Sequence, residues 1–283
     1  MNKVKIIVDS TADLSKELYE KNDIAVLPLN VAFGSDAFKD GVDINADQLY
    51  ERVKKFGELP ATSAPGPAAY EEIFKEYIDK GFDIVFMGIG SGFSTAFQNA
   101  NIATQDLPEG RVFLVDSLNL SSGIGLLAMY GARMAKNGAS AKEIQAELNY
   151  LATKVSTKFA VETLEYLHKG GRCSGASKLF GHIFHIHPII AVVGGKMIVT
   201  KKPRGLMKIA INEMVNELKA DLPNIYEEDV MITHSGCTQD VIDYCYSEVK
   251  KLVKPESIKI TRAGCVVSTH CGPGTIGILY IKK

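Results

Sequence analysis

Short apolar runs alternate with amphipathic helix-like segments along the first half of the chain, and this alternation restricts the fold more than any other feature. Residues 84–87 are entirely apolar, and further strand-like runs lie at 4–8, 24–31 and 111–115. A strand that is apolar throughout is typical of a central position in a sheet covered on both faces. Helix-like segments lie between and beyond these runs, at about 14–21, 46–56, 67–80, 95–104 and 121–136. The β-α-β-α order predicts a mostly parallel α/β/α sandwich.

The pattern changes beyond residue 141. A helix to about 153 leads into a strand at 155–161, and two later strands, 189–193 and 197–201, are separated by Gly194-Gly195. A glycine pair between two short strands favours a tight hairpin, which requires antiparallel pairing. We therefore predict a C-terminal α+β domain with a mixed or antiparallel sheet. The predicted domains are 1–156 and 157–283, and a chain of this length suits two domains.

Composition excludes several classes of protein. The 283 residues include 32 Lys and Arg against 33 Asp and Glu, so the basic excess typical of nucleic-acid-binding domains is missing. The five cysteines form no CxxC pair, which argues against a disulfide framework or a zinc ribbon. No apolar run approaches the ~18–20 residues of a membrane span, and the first nine residues do not resemble a signal peptide. These features predict a cytoplasmic protein with no integral membrane segment.

Three polar loops each lie beside a strand end or a helix start, at residues 9–11, 62–66 and 88–95. Parallel α/β sheets bind ligands at such positions. Hydroxyls and free N–H groups at a helix N-terminus form an anion site. The same residues can simply cap helices, and residues 10–13 are predicted to cap the helix at 14–21. Both interpretations stay open for Ser10, Thr11, Thr62 and Ser94.

Two glycine patterns suggest a nucleotide site but lack its context. In Gly88-x-Gly90-x-Gly92, Phe93 occupies the position where the dinucleotide fingerprint needs its third glycine or alanine. Residues 123–128 match the fingerprint letters, but a loop separates them from the preceding strand, and the chain has no Walker lysine pattern. We predict no nucleotide cofactor.

His182, His185 and His187 resemble a metal cluster. Helical spacing brings together only the first pair, and extended spacing only the second pair, so the three side chains converge poorly. We predict no metal site and interpret these residues as surface or partner-facing histidines.

His270 lies among glycine and proline residues before the last strand, in a predicted loop. Such a histidine suits a functional site as well as a structural one. With Ser94 as nucleophile and Asp116 as orienting acid it would form a Ser-His-Asp arrangement, and Cys271 is a second candidate nucleophile. No G-x-S-x-G elbow surrounds Ser94. A serine- or cysteine-dependent acyl hydrolase is therefore the alternative enzymatic hypothesis.

Residues 164–172 predict a helix that ends in a glycine pair, with Lys169 and Arg172 complementing its dipole. Arg172 lies beyond the glycines, and further basic side chains occur at 201–204. Together they could form a basic patch for an anion or an acidic partner.

Taken in order, these motifs resemble the DegV family of bacterial fatty-acid-binding proteins. The matching segments span the chain: 9–14, 62–65, 91–94, 115–117, 164–172 and 270–274. The chain differs from the usual family pattern at Ser94-Thr95-Ala96-Phe97, where the family commonly has Ser-Gly-Thr-Tyr, and at 64–66, where the family usually carries Gln and Ser.

The resemblance implies a non-enzymatic protein that buries one long-chain fatty acid in an apolar tunnel and holds its carboxylate with hydroxyls. It assigns no catalytic residue, metal or further cofactor to the chain. The implied carboxylate ligands are Thr62, Ser63, Ser94, Thr95 and His270. Candidates for the tunnel wall are Phe93, Phe97, Phe184 and Ile186.

In Gram-positive bacteria, proteins of this family present the acid to a separate ATP-dependent fatty acid kinase, which forms the acyl phosphate. By this resemblance, Arg172 and Arg204 would belong to the kinase-docking face. A third possibility is a regulator that binds another small anion through the same loops.

Overall fold

The computed structural model describes residues 2–173 and 186–283. The first half forms a parallel sheet of four strands: β1 (Lys3–Asp9), β2 (Ile24–Leu27), β6 (Phe82–Gly88) and β7 (Val112–Asp116). Their order in the sheet is β2-β1-β6-β7, so the apolar strand β6 is central as predicted. The helices of this half are α1 (Lys16–Lys21), α2 (Ala46–Phe56), α3 (Pro67–Asp79), α4 (Ala96–Ala103), α5 (Ser122–Lys136) and α6 (Ala141–Ala152).

Both faces of the parallel sheet are covered. Phe86 packs edge-on against Tyr70 and Phe74 of α3 on one face. Its neighbour Met87 belongs to the core cluster on the other face, which contains Ile124 of α5 and residues of α6. Successive side chains of a strand point to opposite faces, so burial of both faces explains why residues 84–87 of β6 are all apolar, whereas Asp83 lies near the half-buried start of the strand. The predicted α/β/α sandwich is confirmed.

A small antiparallel sheet interrupts the predicted strand at 24–31. The chain leaves β2 after Leu27 and enters a second sheet formed by β3 (Asn30–Phe33), β4 (Asp36–Lys39) and β5 (Ala61–Ser63). Pro28 lies at the break, where its missing N–H would prevent continued pairing. This sheet presents Thr62 and Ser63 at the end of β5.

The predicted cap of the first helix is wrong. Ser10–Ala12 form a 3₁₀ turn whose N-cap is Asp9, and α1 begins only at Lys16, where the Ser15 side chain accepts a hydrogen bond from the Leu18 N–H. Thr11 is not available as a cap of α1, because its N–H and its hydroxyl both donate to the Asp9 carboxylate.

The second half forms a mixed sheet with the order β10-β9-β8-β13-β11-β12, in which only β11 and β12 pair in parallel. Its strands are β8 (Val155–Ala160), β9 (Ile189–Val193), β10 (Lys196–Lys201), β11 (Val230–Ser235), β12 (Ile258–Arg262) and β13 (Thr275–Ile281). Gly194 and Gly195 have φ of 54° and 72°, which the predicted hairpin turn between β9 and β10 requires.

The helices of this half are α7 (Glu165–Gly170), α8 (Met207–Asp221), α9 (Gln239–Val249) and α10 (Cys265–Cys271). Helices α8 and α9 share a core cluster with β11 and β13. The mixed α+β architecture is confirmed.

Helix α5 packs between the two large sheets, since its core cluster contains Val85 of one sheet and Met231 and Leu279 of the other. A domain boundary near Ser156 therefore stays a prediction. No helix within residues 2–173 and 186–283 combines the length and apolarity needed to cross a bilayer.

Candidate functional site

A largely apolar cavity of about 630 Å³, measured to its open mouth, lies between the parallel sheet, the small sheet and α10. Both halves of the chain line it. The polar groups at the cavity are few and come from four predicted motifs: Thr62, Ser63, Ser94, Arg172 and His270.

One hydrogen bond joins the two halves at this cavity. The Thr62 hydroxyl at the end of β5 lies 2.8 Å from Nε2 of His270. His270 occupies the last turn of α10, so its predicted placement in a loop is wrong. The glycine that follows explains the error, because Gly272 ends the helix with a φ of 78° and marks a helix terminus.

Burial and the nearby Arg172 lower the pKa of His270 to about 4, so its imidazole is neutral at physiological pH. Its Nδ1 is buried without a hydrogen-bond partner among the described residues. Gly170 leaves space for the His270 ring, because a Cβ at this position would lie 2.5 Å from Nδ1. The glycine pair thus provides close packing against His270 in addition to a helix C-cap.

Ser94 is half-buried at the start of α4, and its Oγ accepts the Ala96 N–H at 3.2 Å. The N-cap residue of α4 is Thr95, whose side chain makes no capping bond, so Ser94 bonds to the first N–H of the helix from the preceding position and also lines the cavity. A serine hydroxyl that accepts one bond still has a proton to donate to a ligand. Thr95, in contrast, is exposed and does not line the cavity, so the structure does not bring it to this site.

The glycines before Ser94 allow close packing of the loop. A Cβ at Gly92 would lie 2.2 Å from the carbonyl oxygen of Gly195 in the β9–β10 turn, and a Cβ at Gly90 would lie 2.8 Å from the Asn119 nitrogen. These backbone neighbours leave no room for a side chain. The glycine pattern is thus explained by protein packing, without a nucleotide.

The two predicted arginines occupy different places. Arg172 is exposed at the cavity, and its Nη1 donates to the Gly170 carbonyl at 2.7 Å. Arg204 is exposed but does not line the cavity. Of the predicted tail contacts, Phe93 lines the cavity, whereas Phe97 and Ile186 do not. Phe184 lies outside the described residues.

Three carboxylates, which the sequence analysis missed as a group, are buried near α10, and two of them, Asp13 and Asp40, hold its N-terminus in place. Asp9, Asp13 and Asp40 are only 0%, 4% and 3% exposed. Asp13 accepts the Gly264 N–H at 2.8 Å, and Asp40 accepts the Cys265 N–H at 2.7 Å. These bonds fix the N-terminus of the helix that carries His270 at its other end.

Burial raises the pKa of all three carboxyls and brings that of Asp9 to about 6, although hydrogen bonds to Thr11 and Ile89 oppose the rise. The only sequence signal for this group is the motif at 9–14, since Asp40 lies 225 residues from its partner Cys265.

The catalytic arrangement of the hydrolase alternative is not assembled. Asp116 accepts from the N–H of Ser91 at 3.0 Å and of Leu118 at 3.2 Å, and the described residues contain no hydrogen bond from it or from Ser94 to His270. Burial raises the pKa of Cys271 to about 12, which keeps the thiol protonated and poorly nucleophilic.

Of the three clustered histidines, His182 and His185 lie outside the described residues. His187 is buried, so its interpretation as a surface histidine is wrong, and its Nδ1 lies 3.4 Å from a Glu162 carboxylate oxygen. Residues 2–173 and 186–283 contain no group of three His, Cys, Asp or Glu side chains placed to hold a metal ion.

Comparison with known proteins identifies the family. A family model described as "Uncharacterised protein, DegV family" matches residues 3–283. A DegV domain-containing protein of Clostridium acetobutylicum is 32% identical over 284 residues, and the match covers 100% of both chains.

Solved structures agree. A Thermus thermophilus DegV family protein, described as fatty-acid-binding, superposes with a TM-score of 0.92 at 26% identity and covers 100% of both chains. A stearic-acid-binding protein from Eubacterium ventriosum superposes with a TM-score of 0.85 at 26% identity, covering 100% of this chain and 99% of its own. The chain belongs to the DegV family.

Proposed function

We propose that this chain binds one long-chain fatty acid in the cavity and presents its carboxylate to a fatty acid kinase, which forms the acyl phosphate. The observation that carries the proposal is the Thr62–His270 hydrogen bond at the polar end of an otherwise apolar cavity. The fatty acids bound by the Thermus and Eubacterium relatives support the same ligand class.

The headgroup site is built from hydrogen-bond donors. We assign the proton of the neutral His270 ring to Nε2, so that it donates to the Thr62 oxygen and frees the Thr62 proton for a carboxylate oxygen. Ser94 supplies a second hydroxyl, and Ser63 supports them from the adjacent position on β5. Hydrogen bonds to a charged acceptor contribute about 1.5–3 kcal/mol each, so this set orients the carboxylate.

The acyl tail has room beyond the first cavity. A second, mostly apolar cavity of about 360 Å³ extends toward β11 and β13, and four side chains line both cavities: Leu120, Phe159, Val267 and Cys271. We place the end of the tail there. Burial of ~14 methylenes at ~0.8 kcal/mol each contributes up to ~11 kcal/mol before association costs, so the tail dominates affinity.

The kinase-docking face includes Arg172 in this proposal, because an exposed guanidinium beside the headgroup suits an acidic partner or a phosphoryl group. Arg204 also belongs to the proposed face through the family resemblance. The phosphoryl chemistry itself belongs to the kinase.

The proposal is tested directly by native mass spectrometry of the protein purified from bacteria. We expect one bound fatty acid per chain. A protein that is empty on purification and fails to bind added oleate or palmitate would contradict the proposal.

Removing either headgroup hydroxyl should impair acyl-phosphate formation more than lipid binding. We expect Ser94→Ala or Thr62→Val to reduce the rate with a fatty acid kinase and ATP by about 10- to 100-fold, because each removes a hydrogen bond worth ~1–3 kcal/mol while the apolar walls remain. Thr95→Ala, which removes an exposed neighbouring hydroxyl, is the matched control. Equal losses of binding and phosphorylation would contradict these roles.

Arg172→Ala should separate kinase coupling from lipid binding. We expect a tenfold or greater loss of acyl-phosphate formation, with bound fatty acid unchanged by native mass spectrometry. Lys54→Ala, which removes an exposed cation from α2, controls for the change in net charge. If Arg172→Ala releases the lipid instead, the arginine is a ligand residue.

A further inference from the structure

A second concave surface lies at the far end of the parallel sheet from the headgroup loops. This basic groove has a volume of about 1720 Å³ to its open mouth, and Lys3 of β1 and Phe82 of β6 line it. Lys3 begins β1, whereas Asp9 ends it and bonds to Ile89 beside the fatty-acid cavity. Seven strand residues span about 20 Å, so the groove is separate from the proposed lipid site.

The floor of the groove is apolar and its rim is basic. Val4, Leu18 and Phe82 are half-buried in the floor, and Met129 and Ala132 of α5 are buried beneath them. The cations that line it outnumber the carboxylates by five to two, although the whole chain has a formal charge of −1. The cations are Lys3, Lys21, Arg133, Lys136 and Lys259.

Both carboxylates of the groove already have partners. Asp23 pairs with Lys5, which does not line the groove, and Asp229 pairs with both Arg133 and Lys259. Within the described residues, Lys3, Lys21 and Lys136 are exposed and form no ion pair. The undescribed residues 174–185 contain no acidic side chain that could pair with them. Three exposed cations are therefore available to a partner.

We propose that this groove docks an acidic amphipathic helix of a partner protein. A helix inserts apolar side chains into a concave floor while its acidic face meets the basic rim, which is the usual mode of helix-in-groove recognition. A flat membrane surface would need apolar side chains that protrude. The large exposed hydrophobic residues of the described chain all lie outside the groove, so the shape favours a helix over a lipid surface.

The groove is joined to the lipid site by one continuous helix. Helix α5 runs from Ser122 to Lys136, and its 15 residues span about 22 Å. Its preceding residue, Ser121, donates to Asp13 of the carboxylate group that holds α10. A partner that binds in the groove thus contacts a helix that begins beside the lipid cavity. The docking proposal itself does not depend on the identity of the lipid.

The test uses the full chain and a fluorescein-labelled 18-residue helical peptide with leucine on one face and glutamate on the other. We expect saturable binding by fluorescence anisotropy. Lys21→Glu/Lys136→Glu should weaken it at least tenfold, whereas the matched control Lys54→Glu/Lys75→Glu, on exposed lysines elsewhere, should change it less than twofold. Screening by salt should weaken binding to the unmodified chain.

Three results would overturn the proposal. The first is no saturable peptide binding, and the second is equal binding of a peptide that carries lysine in place of glutamate. The third is preferential binding of phosphatidylglycerol vesicles that is abolished by Lys21→Glu/Lys136→Glu. Circular dichroism should show that both double variants retain the fold. Native mass spectrometry should show the same bound lipid in both, which separates failure of this proposal from failure of the lipid-binding proposal.

Discussion

Replacing Val267 by phenylalanine should weaken stearate binding by about a thousandfold while leaving decanoate binding within a fewfold of its original value. Val267 of α10 lines both cavities, so a larger side chain there narrows the passage between them. Exclusion of roughly five methylenes from the second cavity would forfeit ~4 kcal/mol. This free energy corresponds to about three decades in Kd. A decanoate tail would end before the obstruction and keep its contacts.

Isothermal titration of both acids measures the effect, because the ratio of the two affinities is insensitive to a general loss of active protein. Val42→Phe is the matched control, since Val42 is 68% exposed and lines neither cavity. Equal loss of stearate and decanoate would place the tail elsewhere. A urea denaturation curve should show that the variant remains folded.

The parts of the fold that local sequence determines were predictable. The uninterrupted apolar run at 84–87 fits only a strand buried on both faces, and Gly194-Gly195 fits a tight hairpin because both residues adopt positive φ. The small sheet was not predictable in the same way. Residues 24–31 were predicted as one strand, and only the missing N–H of Pro28 indicates a break.

The candidate site was predictable only where motifs mark it. Thr62, Ser94 and His270 were selected through the family resemblance, and all three line one cavity. The position of a residue in a motif did not predict which way its side chain points, since Thr95 adjoins Ser94 yet is exposed to solvent. The contacts of Asp13 and Asp40 with Gly264 and Cys265 are unpredictable from one sequence, because they join residues more than 220 positions apart.

The ligand-free protein should lose about 3 kcal/mol of stability between pH 7 and pH 4 through His270 alone. Burial, with a smaller contribution from Arg172, lowers the pKa of this imidazole from 6.5 to about 4 in the folded state. As pH falls through this window, the unfolded chain binds a proton that the folded chain does not bind, so acid favours unfolding. Each unit of difference between the pKa of His270 in the unfolded and folded states changes the free energy of unfolding by ~1.4 kcal/mol. A difference of about two units or more therefore gives the expected loss of stability.

Urea denaturation at pH 7, 6, 5 and 4 measures this effect as the difference in free energy of unfolding between the original chain and His270→Gln. The contributions of other titrating groups cancel in that difference. His168→Gln, at an exposed position on α7, controls for the loss of one histidine. A difference that stays constant with pH would contradict the lowered pKa.

Bound fatty acid should have the opposite effect on His270: it should raise the pKa of the imidazole, which burial lowers. A carboxylate placed beside Thr62 and His270 favours the imidazolium, so it should raise the pKa of His270 above its ligand-free value of about 4 and make binding take up a proton in acid. Titration of the imidazole by NMR, with and without bound palmitate, measures both values. If the pKa of His270 is unchanged by palmitate, the carboxylate lies away from this histidine, and the headgroup assignment to Thr62 fails with it.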